Sequence, residues 1–321
     1  MTASVRTPTR TPALKPSAGV FCVFVSLLAP FLAFAQEPED YKIAVAVNRV
    51  VLDVTVYDKN GRLIPDLKPE DFRVLEDGVE QKILHLTQED RPLTLGLVID
   101  SSRSIGERRA EVIEGALRLA QLSHDGDDVF LVSFNDTAQF GLNRQTALSR
   151  SPSLLRTALM AMKPDGQTAL YDGLILSLDE LARGKWERQA AVIFSDGGDT
   201  ASKATVEEAL ERARRSEALV YAIGLASVNN PYRSPKVLKK LARASGGEAY
   251  FPEDSAELQE VCESIAKEMR SQYTLTYAPA NPRQEGLYRE IDIKLVDPAA
   301  KGWKLRAREG YYEPEAQEAS R

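Results

Sequence analysis

The sequence predicts a doubly wound α/β domain with a mostly parallel sheet, inserted between two β-strand flanks that pair into one small β-sandwich. Three observations predict it. Leu93 to Ile99, Val129 to Phe134, Ala190 to Phe194 and Leu219 to Ile223 are short, nearly continuous apolar runs, the pattern of strands covered on both faces. Helical patterns lie between them, and strands alternating with helices call for crossover connections and a parallel sheet. On either side of this block apolar and polar residues alternate, as in half-buried strands. Neither flank is long enough to bury a core alone without disulfides or a metal, so the two are expected to share one.

Residues 1–35 read as a processing signal. Arg6, Arg10 and Lys15 are the only charges in this stretch, and an apolar run from Val20 ends in Ala33-Phe34-Ala35, the small-x-small pattern cut by a signal peptidase. Gln36 is then the new N-terminus of a periplasmic or extracellular protein. The alternative is an uncleaved anchor, but the run contains Pro30 and is shorter than the roughly 20 apolar residues a spanning helix needs. Cleavage removes Cys22 and leaves Cys262 without a partner, so the fold must hold without a disulfide.

Residues 36–90 form the first half of the predicted sandwich. Val50, Leu52, Val54 and Val56 alternate with Val51, Asp53, Thr55 and Tyr57 before the Asn60-Gly61 turn. Phe72 and Val74 open a second stretch, broken at the hairpin dipeptide Asp77-Gly78, and Val79 to Leu86 resumes it. Residues 91–271 carry the α/β domain. Ala110, Ile113, Ala116, Leu117 and Ala120 share one helical face, as do Tyr171, Leu174, Leu178 and Leu181. Thr205 with Glu208 makes a capping box, and Asp254 with Glu257 resembles one. In residues 272–312 alternation returns at Tyr273, Leu275 and Tyr277, at Ile291, Ile293 and Leu295, and at Trp303, Leu305 and Ala307. Residues 313–321 lack apolar periodicity and are expected to form a flexible tail.

Composition narrows the function classes. With 43% hydrophobic and 27% charged residues the chain is ordinary globular protein. It carries 41 basic and 47 acidic residues, and the three charges of the leader are all basic, so the remainder is more acidic still. A nucleic-acid binder would show the opposite balance.

The chemistry gathers at strand ends. Asp100-Ser101-Ser102-Arg103-Ser104 follows the first apolar strand and precedes a helix, in the crevice where open α/β sheets bind ligands. Gly166-Gln167-Thr168-Ala169-Leu170 offers a hydroxyl just ahead of a helix, and Ser195-Asp196-Gly197-Gly198 leaves the strand ending at Phe194. Hard oxygen donors without thiolate or imidazole suit Mg²⁺, or Mn²⁺ and Ca²⁺, and disfavour zinc.

D-S-S-R-S, G-Q-T-A-L and F-S-D-G-G, in this order, resemble the metal-ion-dependent adhesion site of the von Willebrand factor type A fold. The stretch V-Y-D-K-N-G-R-L-I-P-D-L-K-P-E-D-F-R-V-L-E-D-G and the closing R-A-R-E-G-Y-Y resemble a subfamily of exported bacterial proteins built around that domain. The resemblance implies hydroxyl ligands from Ser102, Ser104 and Thr168, with Asp100 and Asp196 acting directly or through water. It also implies an open coordination position that takes a carboxylate from a protein partner.

Other readings compete at single residues. Asp100 and Ser102 also suit a helix cap, and Asp199 and Asp172 suit loop solvation or a helix start. His124 reads as a solvated residue at a helix exit, His85 as a flank residue, and Cys262, on one face with Leu258, Ile265 and Met269, as a small core residue. No H-E-x-x-H, G-x-x-x-x-G-K-[ST], G-x-S-x-G or strand-linked G-x-G-x-x-G is present, and neither histidine neighbours a candidate loop, so no enzyme is expected. Two functions remain: a module that binds a protein partner through the ion, or an envelope scaffold in which the ion is structural.

Overall fold

The computed structural model describes residues 49–142, 151–225, 233–280, 286–296 and 302–313. The signal-peptide reading and residues 314–321 of the predicted tail lie outside the described residues. In chain order the elements are β1 (Val50–Tyr57), β2 (Phe72–Glu76), β3 (Val79–Gln81), β4 (Ile83–Thr87), β5 (Leu93–Asp100), a 3₁₀ segment (Arg103–Arg108), α1 (Arg109–Gln121), β6 (Asp128–Phe134), β7 (Ala138–Phe140) and α2 (Pro152–Ala161). They continue with α3 (Leu170–Leu181), β8 (Arg188–Ser195), α4 (Val206–Arg215), β9 (Leu219–Gly224), α5 (Pro235–Ser245), β10 (Ala249–Tyr250), α6 (Ser255–Ser271), β11 (Tyr273–Tyr277), β12 (Tyr288–Leu295), β13 (Lys304–Arg306) and β14 (Gly310–Tyr312).

The central sheet runs β10-β9-β8-β5-β6-β7, parallel except for the edge pair β6/β7. Both of its faces are covered, which explains the continuous apolar runs. Leu95, Leu97 and Ile99 of β5 face α1, α2 and α6, with Val192 and Phe194 of β8 beside them. Val98, Ala191 and Ile193 face α3, α4 and α5. From β5 the chain goes to β6 on one side and later to β8 on the other, so β5 lies at the topological switch point.

The flanks interleave. One antiparallel sheet is ordered β13-β1-β11-β4, with strands from the two ends of the chain alternating, and the other β14-β12-β2-β3, with the two C-terminal strands joined to the two N-terminal ones through β12 and β2. Val50, Leu52, Val54 and Val56 from β1 and Leu275 and Tyr277 from β11 meet Phe72, Val74 and Ile291 from the second sheet in one core. Asp77 and Gly78 take φ of 49° and 78°, as a type I′ turn between β2 and β3 requires.

Three expectations change. Val79 to Leu86 is not one strand: Val79–Gln81 pairs with β2, and after Lys82 the segment Ile83–Thr87 pairs with β11 in the other sheet. In α1 the buried set is Val112, Gly115, Ala116, Leu117, Leu119 and Ala120, while Ala110 is exposed and Ile113 only partly buried. The face turns because α1 packs between the sheet and two helices, and Gly115 lets the Phe194 ring approach; a Cβ there would lie 2.8 Å from it. Glu313 is not part of a loose tail: it is 2% exposed and pairs with Arg289 at 2.7 Å. At the caps, Thr205 and Glu208 form the full box, whereas Asp254 caps Ala256 and Glu257 while the Glu257 carboxylate turns to the Glu253 N–H.

Candidate metal centre

The site stands at the carboxyl end of β5. Asp100 is its last residue, 1% exposed; Ser102 caps the 3₁₀ segment and is buried; Ser104, within that segment, is half-buried. Two residues before α3 lies the buried Thr168, and Asp196, also buried, directly follows β8. Sequence separation is closed by short bonds between loops. The Arg103 N–H donates to the Gly166 carbonyl at 3.4 Å and the Asp165 N–H to the Ser101 carbonyl at 3.1 Å, tying the first loop to the second. The Thr168 carbonyl accepts from the N–H groups of Thr200 and Ala201 at 2.8 and 3.0 Å, and the Thr168 N–H donates to Thr200 Oγ1 at 3.1 Å, tying the second loop to the third. Gly197 at φ 83° makes the exit from β8, where a Cβ would lie 2.6 Å from the Ser234 carbonyl oxygen.

Asp100 is handled by neutral donors alone. Its Oδ1 accepts from the Ser102 N–H at 2.8 Å and its Oδ2 from the Ser195 hydroxyl at 2.7 Å; among the described residues no lysine or arginine pairs with it. Burial pushes its pKa up to about 6, with the like charge of Asp196 adding to the rise and the bonds from Ser102 and Ser195 opposing it. Two carboxylates in one dry crevice repel unless a proton or a cation intervenes.

The donor set fits a small hard cation. Ser102 Oγ and Ser104 Oγ lie 3.1 Å apart, close to the spacing of two neighbouring ligands on an octahedral ion with metal–oxygen distances of about 2.1 Å. Among the described residues no three His, Cys, Asp or Glu side chains gather where they could hold a metal. Any centre here must therefore draw on hydroxyls, as these loops allow.

Nearby groups take structural roles. Asp199 accepts from the Tyr171 N–H at 3.1 Å, at the start of α3, and Asp172 accepts from the N–H groups of Lys203 and Ala204, both at 3.0 Å, as the loop and helix-start reading expects. His124 is exposed and its N–H donates to Asp127; His85 is exposed on β4; Cys262 is fully buried beside Leu258 and Ile265. Two contributors escaped the sequence reading. Ser195 is a strand residue whose hydroxyl turns to Asp100, and Asp136 accepts from the Gln167 N–H at 2.8 Å to hold the Thr168 loop. The only signal for Ser195 was its place beside Asp196.

Residues 95–264 match the family model of the von Willebrand factor type A domain. The chain belongs to that family. Over 109 residues it is 28% identical to an uncharacterised protein of Synechocystis sp., sll0103, covering 34% of this chain and 26% of that one. The chain thus spans about a quarter of that relative's length. Among solved structures it is similar to a von Willebrand factor type A protein from Catenulispora acidiphila, at 14% identity and a TM-score of 0.48, over 84% of this chain and 76% of that one. It is similar also to the PilB minor pilin of Streptococcus sanguinis, at 16% identity and a TM-score of 0.46, over 57% of this chain and 62% of that one. Proximal thread matrix protein 1 of the mussel byssus, a structure described with a zinc-occupied adhesion motif, matches at 16% identity and a TM-score of 0.47, over 62% of this chain and 50% of that one.

Proposed function

We propose that this chain is an exported binding module that recognises a protein partner through a divalent ion held by Asp100, Ser102, Ser104, Thr168 and Asp196. The observation that carries the reading is Asp100: a buried carboxylate, adjoining a second one, supplied with hydroxyl and N–H donors but no cation. Mg²⁺ suits this site best, with Mn²⁺ or Ca²⁺ as alternatives, because every donor is a hard oxygen and few are charged. When bound, such an ion keeps water on its remaining positions and offers one to a carboxylate oxygen of the partner. Ser102 and Ser104 would hold one edge of the ion, Thr168 would present its hydroxyl from the second loop, and Asp100 and Asp196 would balance the charge. The exposed Arg103 pairs with Asp165 at 2.9 Å beside the site, and a partner's acidic side chain would compete with Asp165 for it.

A catalytic role is disfavoured because this reading assigns both carboxylates of the donor set to the ion, and the loops carry no histidine to act as a general base in their place. Export is supported by the basic, apolar and Ala33-Phe34-Ala35 stretches of the leader, and no helix among the described residues is long and apolar enough to cross a membrane.

The test is calorimetric. Mg²⁺ at about 100 times its dissociation constant should stabilise the folded chain by roughly 2.7 kcal/mol. Asp100→Ala and Asp196→Ala should abolish the response, and Thr168→Ala should weaken it. Capture of a protein with an acidic recognition segment should disappear with chelator and with Asp100→Ala. Binding that survives both, while the melting temperature drops, would favour the scaffold reading instead.

A further inference from the structure

At the opposite end of the sheet from Asp100 lies a cleft of about 350 Å³ between the sandwich and the α/β layers. Val50 and Val51 at the start of β1 and Tyr311 and Tyr312 of β14 form one side; the C-terminal ends of α3 and α4 form the other. Four arginines line it: Arg49, Arg212, Arg215 and Arg308. Two of them are accounted for. Arg212 pairs with Asp179, and Arg215 pairs with Glu211 at 3.0 Å while its guanidinium covers the Tyr312 ring at 4.1 Å.

Neither Arg49 nor Arg308 makes an ion pair among the described residues, although the charges of Glu217 and Asp53 act on Arg308 from beyond ion-pair distance. Arg49 is exposed and makes no ion pair among the described residues. Arg308 comes from the R-A-R-E-G-Y-Y segment, whose first arginine, Arg306, is consumed by Glu268 and Glu248. Of the five N–H donors of Arg308, the described structure uses one, toward the Ser216 carbonyl at the end of α4. Burial holds its pKa below the usual arginine value, the mark of a guanidinium incompletely compensated for lost water. Of the two acids on the wall, Glu313 is taken by Arg289, and Glu217 is exposed and too far for an ion pair. Capping α4 accounts for one donor of Arg308; it does not account for the others, for Arg49, or for the open volume between them.

We propose that this cleft binds a small oxyanion, a phosphoryl or carboxylate group of a soluble ligand, clasped between Arg308 and Arg49. Guanidinium forks match both oxyanions in two-pronged geometry, and the volume admits a small molecule. Because the two walls belong to different layers, the ligand would fasten the sandwich to the α/β layers at the pole remote from the candidate metal centre. The site is independent of the reading given for Asp100.

Metal-free protein in chelator should be titrated with pyrophosphate and, separately, with citrate, following the melting temperature and heat of binding against chloride at matched ionic strength. A saturable response to pyrophosphate assigns phosphoryl chemistry and one to citrate assigns carboxylate chemistry. Arg308→Gln should abolish the response. Arg49→Gln, an exposed change that should leave the fold intact, should weaken it about tenfold, the loss of one charge-assisted contact. Asp100→Ala should leave it unchanged. No saturable response to either anion, or an undiminished response in Arg49→Gln, overturns the proposal.

Discussion

Two buried carboxylates of this chain are treated in opposite ways. Glu268 on α6, 1% exposed, meets Arg306 of the sandwich at 2.8 Å, with the hydroxyls of Thr55 and Tyr250 each at 3.4 Å. Asp127 is likewise matched by Arg270, and Glu313 by Arg289. Asp100 is buried as deeply, yet it receives a serine hydroxyl and an N–H, and its charged neighbour, Asp196, has the same sign. Burying a carboxylate is expensive unless it is paired. Glu268, Asp127 and Glu313 each receive a guanidinium, and among the described residues Asp100 receives none; on the reading proposed above, its charge is balanced by the bound ion. The contrast separates an ion pair that fastens two layers from a buried carboxylate held by neutral donors alone.

Breaking the permanent pair should have the largest effect. Arg306→Met strands Glu268 between β1, β10 and α6, and removing one partner of a buried pair costs about 3–5 kcal/mol. Urea unfolding should register that loss. Adding Glu268→Leu should restore most of it, since an apolar replacement of both partners is often neutral. If the single variant lost less than about 1 kcal/mol, the pair would not be what joins the sandwich to α6.

Asp100 should behave in the reverse sense. With its folded pKa raised to about 6 from an unfolded value near 3.8, the native state holds the proton more tightly than the unfolded chain. Metal-free stability from this group is therefore present at low pH and is lost as pH rises from about 4 through 6. Above pH 6 the ionised carboxylate costs the metal-free fold about 3 kcal/mol. Asp100→Asn in chelator should accordingly be more stable than the parent at pH 7.5, by up to that amount, and the advantage should shrink toward pH 4. The same variant should lose the response to Mg²⁺. A variant no more stable than the parent across this range would mean that Asp100 is satisfied without a cation, and the contrast with Glu268 would collapse.

What could be read from residues alone divides along the same line. The four central strands announce themselves because both faces are covered; two of the three oxygen-bearing loops follow from their positions at strand ends, and the third from its place just ahead of α3. Pairing across the chain leaves no such trace. Nothing local to Arg306 or Glu268, 38 positions apart, marks them as partners. The switch of sheet at Lys82 is silent because alternation continues on both sides of it. The edge strands Ala138–Phe140 and Ala249–Tyr250 are too short to carry a period. The burial of Glu313 depends on Arg289, whose position is fixed only once β12 and β14 have paired.

Ser195 gives the finest probe of the comparison. Its hydroxyl donates to Asp100 Oδ2 at 2.7 Å and accepts from the Gly197 N–H at 3.1 Å, so one oxygen serves both the carboxylate and the turn that carries Asp196. Ser195→Ala removes a donor that favours the ionised form, and the Asp100 pKa should rise further. The two bonds should separate by pH. Loss of the Gly197 contact costs about 1 kcal/mol at any pH, the net value of a neutral hydrogen bond. Loss of the bond to the carboxylate adds about 1 kcal/mol only where Asp100 is ionised, so it should fade as pH falls through 6 toward 4. Thermal unfolding of Ser195→Ala and parent in chelator, from pH 4 to 8, should therefore show a difference that grows with pH. A constant difference would assign Ser195 to the turn alone and leave Asp100 unsupported on its Oδ2 side.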